Sequence, residues 1–180
     1  MLHFILDFAE LFHVDFMKKV QKEIELLRPL FDNKLKGFAE FANKYIKIDY
    51  EHLLGMELKF NRFDVPKIGG FHHDYMNIVE KEGIIEFANK VINKHGVYSV
   101  DLMYGTAEIK RGKTFFPSDW SREKVINAIY EAYENFMQSG VPPLLAKNGK
   151  YELSGFTKEG IKIEMYITKN GRVTTAYPIV

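Results

Sequence analysis

From Phe16 the apolar residues Val20, Ile24, Leu27 and Phe31 recur at helical spacing with lysines and glutamates between them, until Pro29 and Phe31-Asp32-Asn33 disturb the run. Phe38, Phe41 and Tyr45 carry a second helical stretch, so residues 1–47 read as a helical segment ending near IKIDYEH. It shows no chemistry of its own. A short helix is expected from Glu80 to Asn93, with Gly96 as its stop, followed by VYSVDLMY, which alternates like a strand. After KTFFP, Ser121 is placed to cap a helix whose Val125, Ala128, Ile129, Ala132, Tyr133 and Phe136 make one apolar face before Gly140 ends it.

The C-terminal end is the most legible part. Ile161, Ile163, Met165 and Ile167 alternate, and Asn170-Gly171 then signals a hairpin. A two-residue loop sets Thr168 opposite Val173, Tyr166 opposite Thr175 and Glu164 opposite Tyr177. Thr175 and Tyr177 then share the sheet face away from the isoleucine stripe, whereas a bulged three-residue loop reverses that parity. Strands and helices are interspersed after residue 95, with no repeat and no low-complexity linker, so the expected class is α+β.

Composition adds boundaries rather than function. A chain of 180 residues, 46% of them hydrophobic, is one folded domain or one domain with a helical extension. Lys and Arg number 25 against 24 Asp and Glu, so a nucleic-acid site needs a local basic patch. With no cysteine, disulfides, zinc–thiolate sites and thiol catalysis are excluded. The N-terminal MLHFILDFAELFHVDF is apolar, but Asp7 and Glu10 interrupt it and no basic leader or small-residue cleavage site follows, so neither a signal peptide nor a membrane span is expected.

Four stretches hold residue types able to converge on one chemistry: EHLLGME with His52, GGFHHD with His72, KRGKTFFPSDW with Lys113, and NGRVTTAYP with Thr175 and Tyr177. Two histidines and a lysine suffice to cut RNA without a metal. One imidazole takes the proton of a ribose 2′-hydroxyl, the other protonates the departing 5′-oxygen, and the ammonium stabilises the extra negative charge of the phosphorane. Each residue alone has a plainer reading. Gly69-Gly70 is ordinarily a turn, here one that would let phosphate approach beside His72, and Lys113 is ordinarily solvated. Lys110 and Arg111 form a small basic patch able to hold flanking phosphates. Tyr177 alone would fill an edge-strand surface, and His72, His73 and Asp74 together pose a metal site as an alternative. His3, His13 and His95 have no motif around them.

Taken jointly, Glu51-His52, Gly69-Gly70-Phe71-His72, Lys113 and Asn170-Gly171 through Thr175-Ala176-Tyr177-Pro178 resemble the EndoU family of uridylate-preferring endoribonucleases. That family includes a nidoviral enzyme, animal poly(U)-preferring nucleases and toxin domains of bacterial secretion systems, and Lys113 to Pro117 looks particularly like the bacterial branch. The resemblance runs from Glu51 to the C-terminus, which divides the chain into an N-terminal helical segment (1–47) and a catalytic domain (48–180). It implies an α+β fold of the EndoU type, N-terminal helices and antiparallel sheets carrying the site. His52 would be the general acid, His72 the general base and Lys113 the catalytic lysine. Tyr177 would pack on the nucleotide and Thr175 would stand beside it, with Ser118 assigned as the uracil-reading serine and Ser121 left as a helix cap. Between His52 and His72, KFNRFDVPK is expected as an extra loop. No cofactor is required, manganese stimulation being left open, and no metal ligand is assigned. The implied partners are single-stranded or loop RNA and a cognate immunity protein, with no membrane. The implied setting is a secreted or delivered toxin acting in a target-cell cytoplasm, or else a cytoplasmic protein. The alternatives are an inactive RNA-binding or interaction module on the same fold, and a metal-dependent hydrolase using His72, His73 and Asp74.

Overall fold

The computed structural model describes residues 47–60, 62 and 66–180, and the helical runs expected between Phe16 and Tyr45 lie outside them. In chain order come β1 (Lys47–Ile48), α1 (Tyr50–Leu54), β2 (Met56–Phe60), β3 (Pro66–Gly70), a 3-10 turn (Tyr75–Asn77), α2 (Ile78–Glu82) and β4 (Glu86–Ile92). There follow β5 (Tyr98–Tyr104), β6 (Ala107–Phe115), α3 (Arg122–Ser139), β7 (Leu144–Leu145), β8 (Tyr151–Phe156), β9 (Lys162–Ile167) and β10 (Arg172–Pro178). They form a five-stranded sheet in the order β1-β10-β9-β8-β7, a meander β4-β5-β6 and the hairpin β2-β3. Among the described residues only β1 pairs in parallel, on β10. The architecture is α+β.

The helix α3 forms as its sequence dictates. The Ser121 hydroxyl accepts the Lys124 amide at 3.2 Å, Gly140 ends the helix in the left-handed region at φ 68°, and Val125, Ala128, Ile129, Ala132 and Phe136 are buried. They pack on Leu153, Ile163, Met165 and Val173 of the large sheet, which with Leu53, Leu54, Phe116 and Trp120 make the first core. Each Val, Leu, Ile, Phe or Met side chain among them contributes about 1.5–3 kcal/mol on burial. At Gly155 an added Cβ would stand 1.9 Å from the Ala132 carbonyl, so the helix lies directly on β8.

The C-terminal hairpin reaches the expected face by an unexpected route. Thr168 N–H donates to Arg172 and Gly171 N–H to Thr168, with Gly171 at φ 77°, which makes a three-residue loop and sets Val173 opposite Ile167. A bulge at Thr174 then restores the parity, so that Thr175 faces Tyr166 and Tyr177 faces Glu164. The bulge is held in place, because the Thr174 hydroxyl donates to the Tyr166 carbonyl at 3.1 Å and accepts Lys150 at 3.0 Å.

Two expectations are corrected, the second only at the ends of its stretch. The helix from Glu80 to Asn93 is only α2, which Gly83 ends at φ 68°, and from Glu86 the chain is strand β4 paired with β5. The alternative face of Phe87 and the neighbouring Ile85 joins a second core of Ile68, Phe71, Val79, Tyr98, Val100, Leu102, Ile109 and Phe115, and this tertiary pairing outweighs helical propensity. Gly96 serves the Asn93–Gly96 turn of the β4-β5 hairpin rather than a helix end. Of the KFNRFDVPK stretch, expected as a loop, the two ends stand in β2 and β3, with Lys59 opposite Lys67 and Phe60 opposite Pro66, and residues 61 and 63–65 lie outside the described residues. The helix-to-strand order otherwise follows the pattern: β5 alternates buried and half-buried from Tyr98 to Tyr104.

Candidate active site

The approach of His52 and His72 is a backbone arrangement. The amide of Phe71 donates to the His52 carbonyl at 3.1 Å and that of His72 to the Leu53 carbonyl at 2.8 Å, so the open carbonyls at the end of α1 are satisfied by the exit of β3. Gly70 makes this possible: it sits at φ 61°, and a Cβ there would fall 2.0 Å from the His52 carbonyl oxygen. The space that the sequence reading left for phosphate is taken by the protein's own backbone. Phe71 follows at φ 55°, a strained position for a large side chain, and is held there by full burial and edge contacts with Phe115 and Phe87. The other end of α1 is fixed by Asp49, whose carboxylate accepts the His52 amide at 3.3 Å and pairs with Arg172 at 3.1 Å. That pair ties the first histidine to the hairpin that carries Thr175 and Tyr177.

His72 is 8% exposed, with Nδ1 at 3.1 Å from the Thr114 carbonyl and Nε2 at 3.3 Å from Lys113 Nζ. A carbonyl only accepts, so Nδ1 carries the proton and Nε2 is the free base. Burial, then the neighbouring Lys113 charge, hold the His72 pKa well below its ordinary value. Lys113 is itself 4% exposed, on the inward side of β6 with Ile109 and Phe115. Burial first, then Lys110 and Lys59, lower its pKa to about 7. The Tyr177 ring stacks on the His72 ring, centroids 5.3 Å apart and planes 23° from parallel. Thr175 lies on the same face one pleat away, opposite Tyr166.

Glu57 is the residue that the sequence reading missed. Its carboxylate accepts His52 Nδ1 at 3.0 Å and pairs with Lys59 at 2.7 Å. Partial burial disfavours the charge, yet the bonds from Lys59 and His52 keep the Glu57 pKa below its ordinary value. The carboxylate therefore holds His52 through a proton on Nδ1 and leaves Nε2 as the nitrogen able to pass a proton to a substrate. The residue stands in the quoted EHLLGME, but only the turn from α1 into β2 brings it back to the ring.

The remaining candidates make other contacts. The Ser118 carbonyl accepts the Met76 amide at 2.7 Å, and no hydrogen bond among the described residues joins its hydroxyl to His72, Lys113 or Tyr177. Ser121 is the helix cap. The three candidates for a metal site diverge. His73 is 2% exposed and faces Tyr75 and the carbonyls of Pro117 and Trp120 without reaching hydrogen-bond geometry. Burial and the Arg122 charge lower its pKa to about 4. Asp74 uses both carboxylate oxygens on the amides of Val79 and Glu80 at the start of α2. Among the described residues no group of three His, Asp or Glu side chains converges as a donor set, so the geometry does not support His72, His73 and Asp74 as a metal centre. Arg111 of the basic patch is turned to Glu108 at 2.7 Å. No helix among the described residues is long and apolar enough to cross a membrane.

An α+β domain with one carboxylate-held histidine, one buried histidine facing a buried lysine, and a tyrosine stacked on that buried histidine has the groups of a histidine-based nuclease. The chain belongs to the bacterial EndoU nuclease family, whose model matches residues 50–180. It is 34% identical over 156 residues to a Bacillus cereus protein named "Toxin", a match that covers 83% of this chain and 25% of that protein. The chain thus spans about a quarter of the length of that relative. No solved structure gives a significant match.

Proposed function

We propose that the domain is an endoribonuclease that cleaves single-stranded or loop RNA 3′ of uridine by attack of the ribose 2′-hydroxyl. The observation that carries this reading is the state of His72: Nδ1 is committed to the Thr114 carbonyl and the unprotonated Nε2 faces the site beside Lys113. His72 Nε2 takes the 2′-hydroxyl proton as the 2′-oxygen attacks phosphorus. Lys113 stabilises the charge gathering on the non-bridging oxygens, and His52, backed by Glu57, protonates the leaving 5′-oxygen. The products are a 2′,3′-cyclic phosphate and a 5′-hydroxyl. Tyr177 packs against the splayed nucleotide and Thr175 reads its uracil edge, which favours unpaired RNA. This chemistry needs no metal. The name of the Bacillus cereus relative supports a further step: the domain acts as the toxic part of a larger delivered protein, and a cognate immunity protein restrains it.

The test is an oligonucleotide with a single uridine, incubated with and without chelator, with the product termini identified by mass. Cleavage 3′ of the uridine to a cyclic phosphate, unchanged by chelator, is expected. Cleavage lost in chelator with 3′-hydroxyl ends would establish metal-dependent hydrolysis instead, and binding without cleavage would leave an RNA-binding module. His52→Ala, His72→Ala and Lys113→Ala are each expected to lower kcat by about 10²–10⁴-fold. His73→Ala retains most activity in a folded sample.

A further inference from the structure

Behind Tyr177, the outer face of β8, β9 and β10 carries a polar cluster whose Glu152, Glu164 and Tyr166 have no part in the proposed reaction. Register sets Glu164 between Ser154 and Tyr177, and Tyr166 between Glu152 and Thr175. The Tyr177 hydroxyl donates to Glu164 Oε1, and the Tyr166 hydroxyl lies 3.4 Å from the same oxygen and 3.0 Å from Glu152 Oε2. A phenol has one proton, and that of Tyr177 is spent on Glu164. What remains for a substrate is the ring, whose other neighbour is His72.

A tyrosine on an open sheet face is free to turn about its side-chain bonds, and a platform that turns cannot hold a nucleotide in line with a base. We propose that Glu164 is a positioning residue that ties the Tyr177 hydroxyl and so keeps the ring flat against His72, where it meets the nucleotide as a fixed platform. Tyr166 stands between the two carboxylates, its single hydroxyl proton nearer Glu152 at 3.0 Å than Glu164 at 3.4 Å. This rests on the nuclease reading for its consequence in catalysis, but the tether itself is a property of the free protein.

The experiment uses the full chain with Glu164→Ala, Glu164→Gln, Tyr177→Phe and the double variant Glu164→Ala/Tyr177→Phe, each checked for native circular dichroism. Two readouts are taken: steady-state cleavage of the uridine oligonucleotide, and the His72 ring-proton NMR shifts, which report the ring current of the stacked tyrosine. Glu164→Ala and Tyr177→Phe are each expected to lower kcat/KM by about tenfold, the worth of one charge-assisted hydrogen bond, mainly through KM. The double variant should be no worse than either single one, because both remove the same bond. Glu164→Gln keeps an acceptor and recovers most of the loss. The His72 shifts move in Glu164→Ala and Tyr177→Phe and return in Glu164→Gln. Multiplying losses in the double variant would show that Glu164 acts on the sheet rather than on Tyr177, and unmoved His72 shifts would overturn the tether. A wild type that cleaves nothing would sink the nuclease reading, while the NMR shifts would still decide the tether.

Discussion

Lys113 is the residue on which the pH response turns. Burial leaves it half-protonated near pH 7, whereas the role proposed for it at the phosphorane needs the charged form. His72, with its pKa held low by burial and the lysine, is already a neutral base well below that pH. The kcat/KM for the uridine oligonucleotide is therefore expected to fall as pH rises past about 7, and a plateau extending to pH 9 would show that the lysine is not required in its charged form. His73 carries the opposite kind of pH effect, on stability rather than rate. Its folded pKa of about 4 lies below the 6.5 of a free imidazole, so above pH 6.5 both states are neutral and nothing is lost. As pH falls from 6.5 to about 4 the unfolded chain takes up a proton that the buried ring refuses, and the domain loses roughly 3 kcal/mol. Thermal melts of wild type and His73→Leu at pH 7.5 and pH 4.5 measure this. The variant should show the smaller acid-induced drop, and equal drops would remove His73 from the account.

Elements meet in this site through glycines and bulges, which is why some of it was open to sequence reasoning and some was not. The GGFH signature was legible as a place where side chains are unwelcome, but the cause was not, since the close approach at Gly70 is to α1 and not to phosphate. Gly70→Ala combines a left-handed backbone with a collision on the His52 carbonyl, and each alone destabilises by more than about 1 kcal/mol. It is expected to abolish cleavage and lower the melting temperature by several degrees, whereas Gly83→Ala, which has open space, should cost stability alone. The hairpin at Asn170-Gly171 was legible in its outcome because the expected two-residue loop and the observed loop with its bulge give the same pairing of Tyr177 with Glu164. The strand from Glu86 was not legible, because its pairing partner Tyr98–Tyr104 comes later in the chain and its exposed positions carry no alternation of their own. Asp101 explains how that meander keeps its irregular shape: its carboxylate accepts the Gly112 amide and the Asn89 side chain, both at 2.8 Å, one beside each of the two bulged pairings that flank β5. Asp101→Ala should speed hydrogen exchange at Gly112 and loosen the strand that ends in Lys113, and unchanged exchange there would assign the bulge to the strands themselves.

At the scale of the whole molecule the site is a seam between two cores. Adjacent residues show it best, since Phe115 belongs to the core under the meander and Phe116 to the core under α3. The KTFFP stretch, read from sequence as a family mark, thus places Lys113 where the chain passes from one core to the other. His72 is bound on both sides of that passage: its amide donates to Leu53, its carbonyl accepts the Phe116 amide at 2.9 Å, and its ring donates to Thr114 while stacking on Tyr177. The candidate histidines and lysine were legible because chemistry restricts their types, but Glu57 and Glu164 were not, because glutamates are common and only strand register aims these two at His52 and Tyr177. A site held between two cores depends on their docking, and local opening of such a seam precedes global unfolding where its free energy is the lower. Urea is therefore expected to remove cleavage before it unfolds the larger core, whose state is reported by Trp120, the one tryptophan of the chain, buried against Phe116 with ring centroids 6.3 Å apart. Activity and Trp120 fluorescence measured across one urea series settle the point. Activity should fall at the lower concentration, and coincident transitions would mean that the two cores and the site between them unfold as a single cooperative unit.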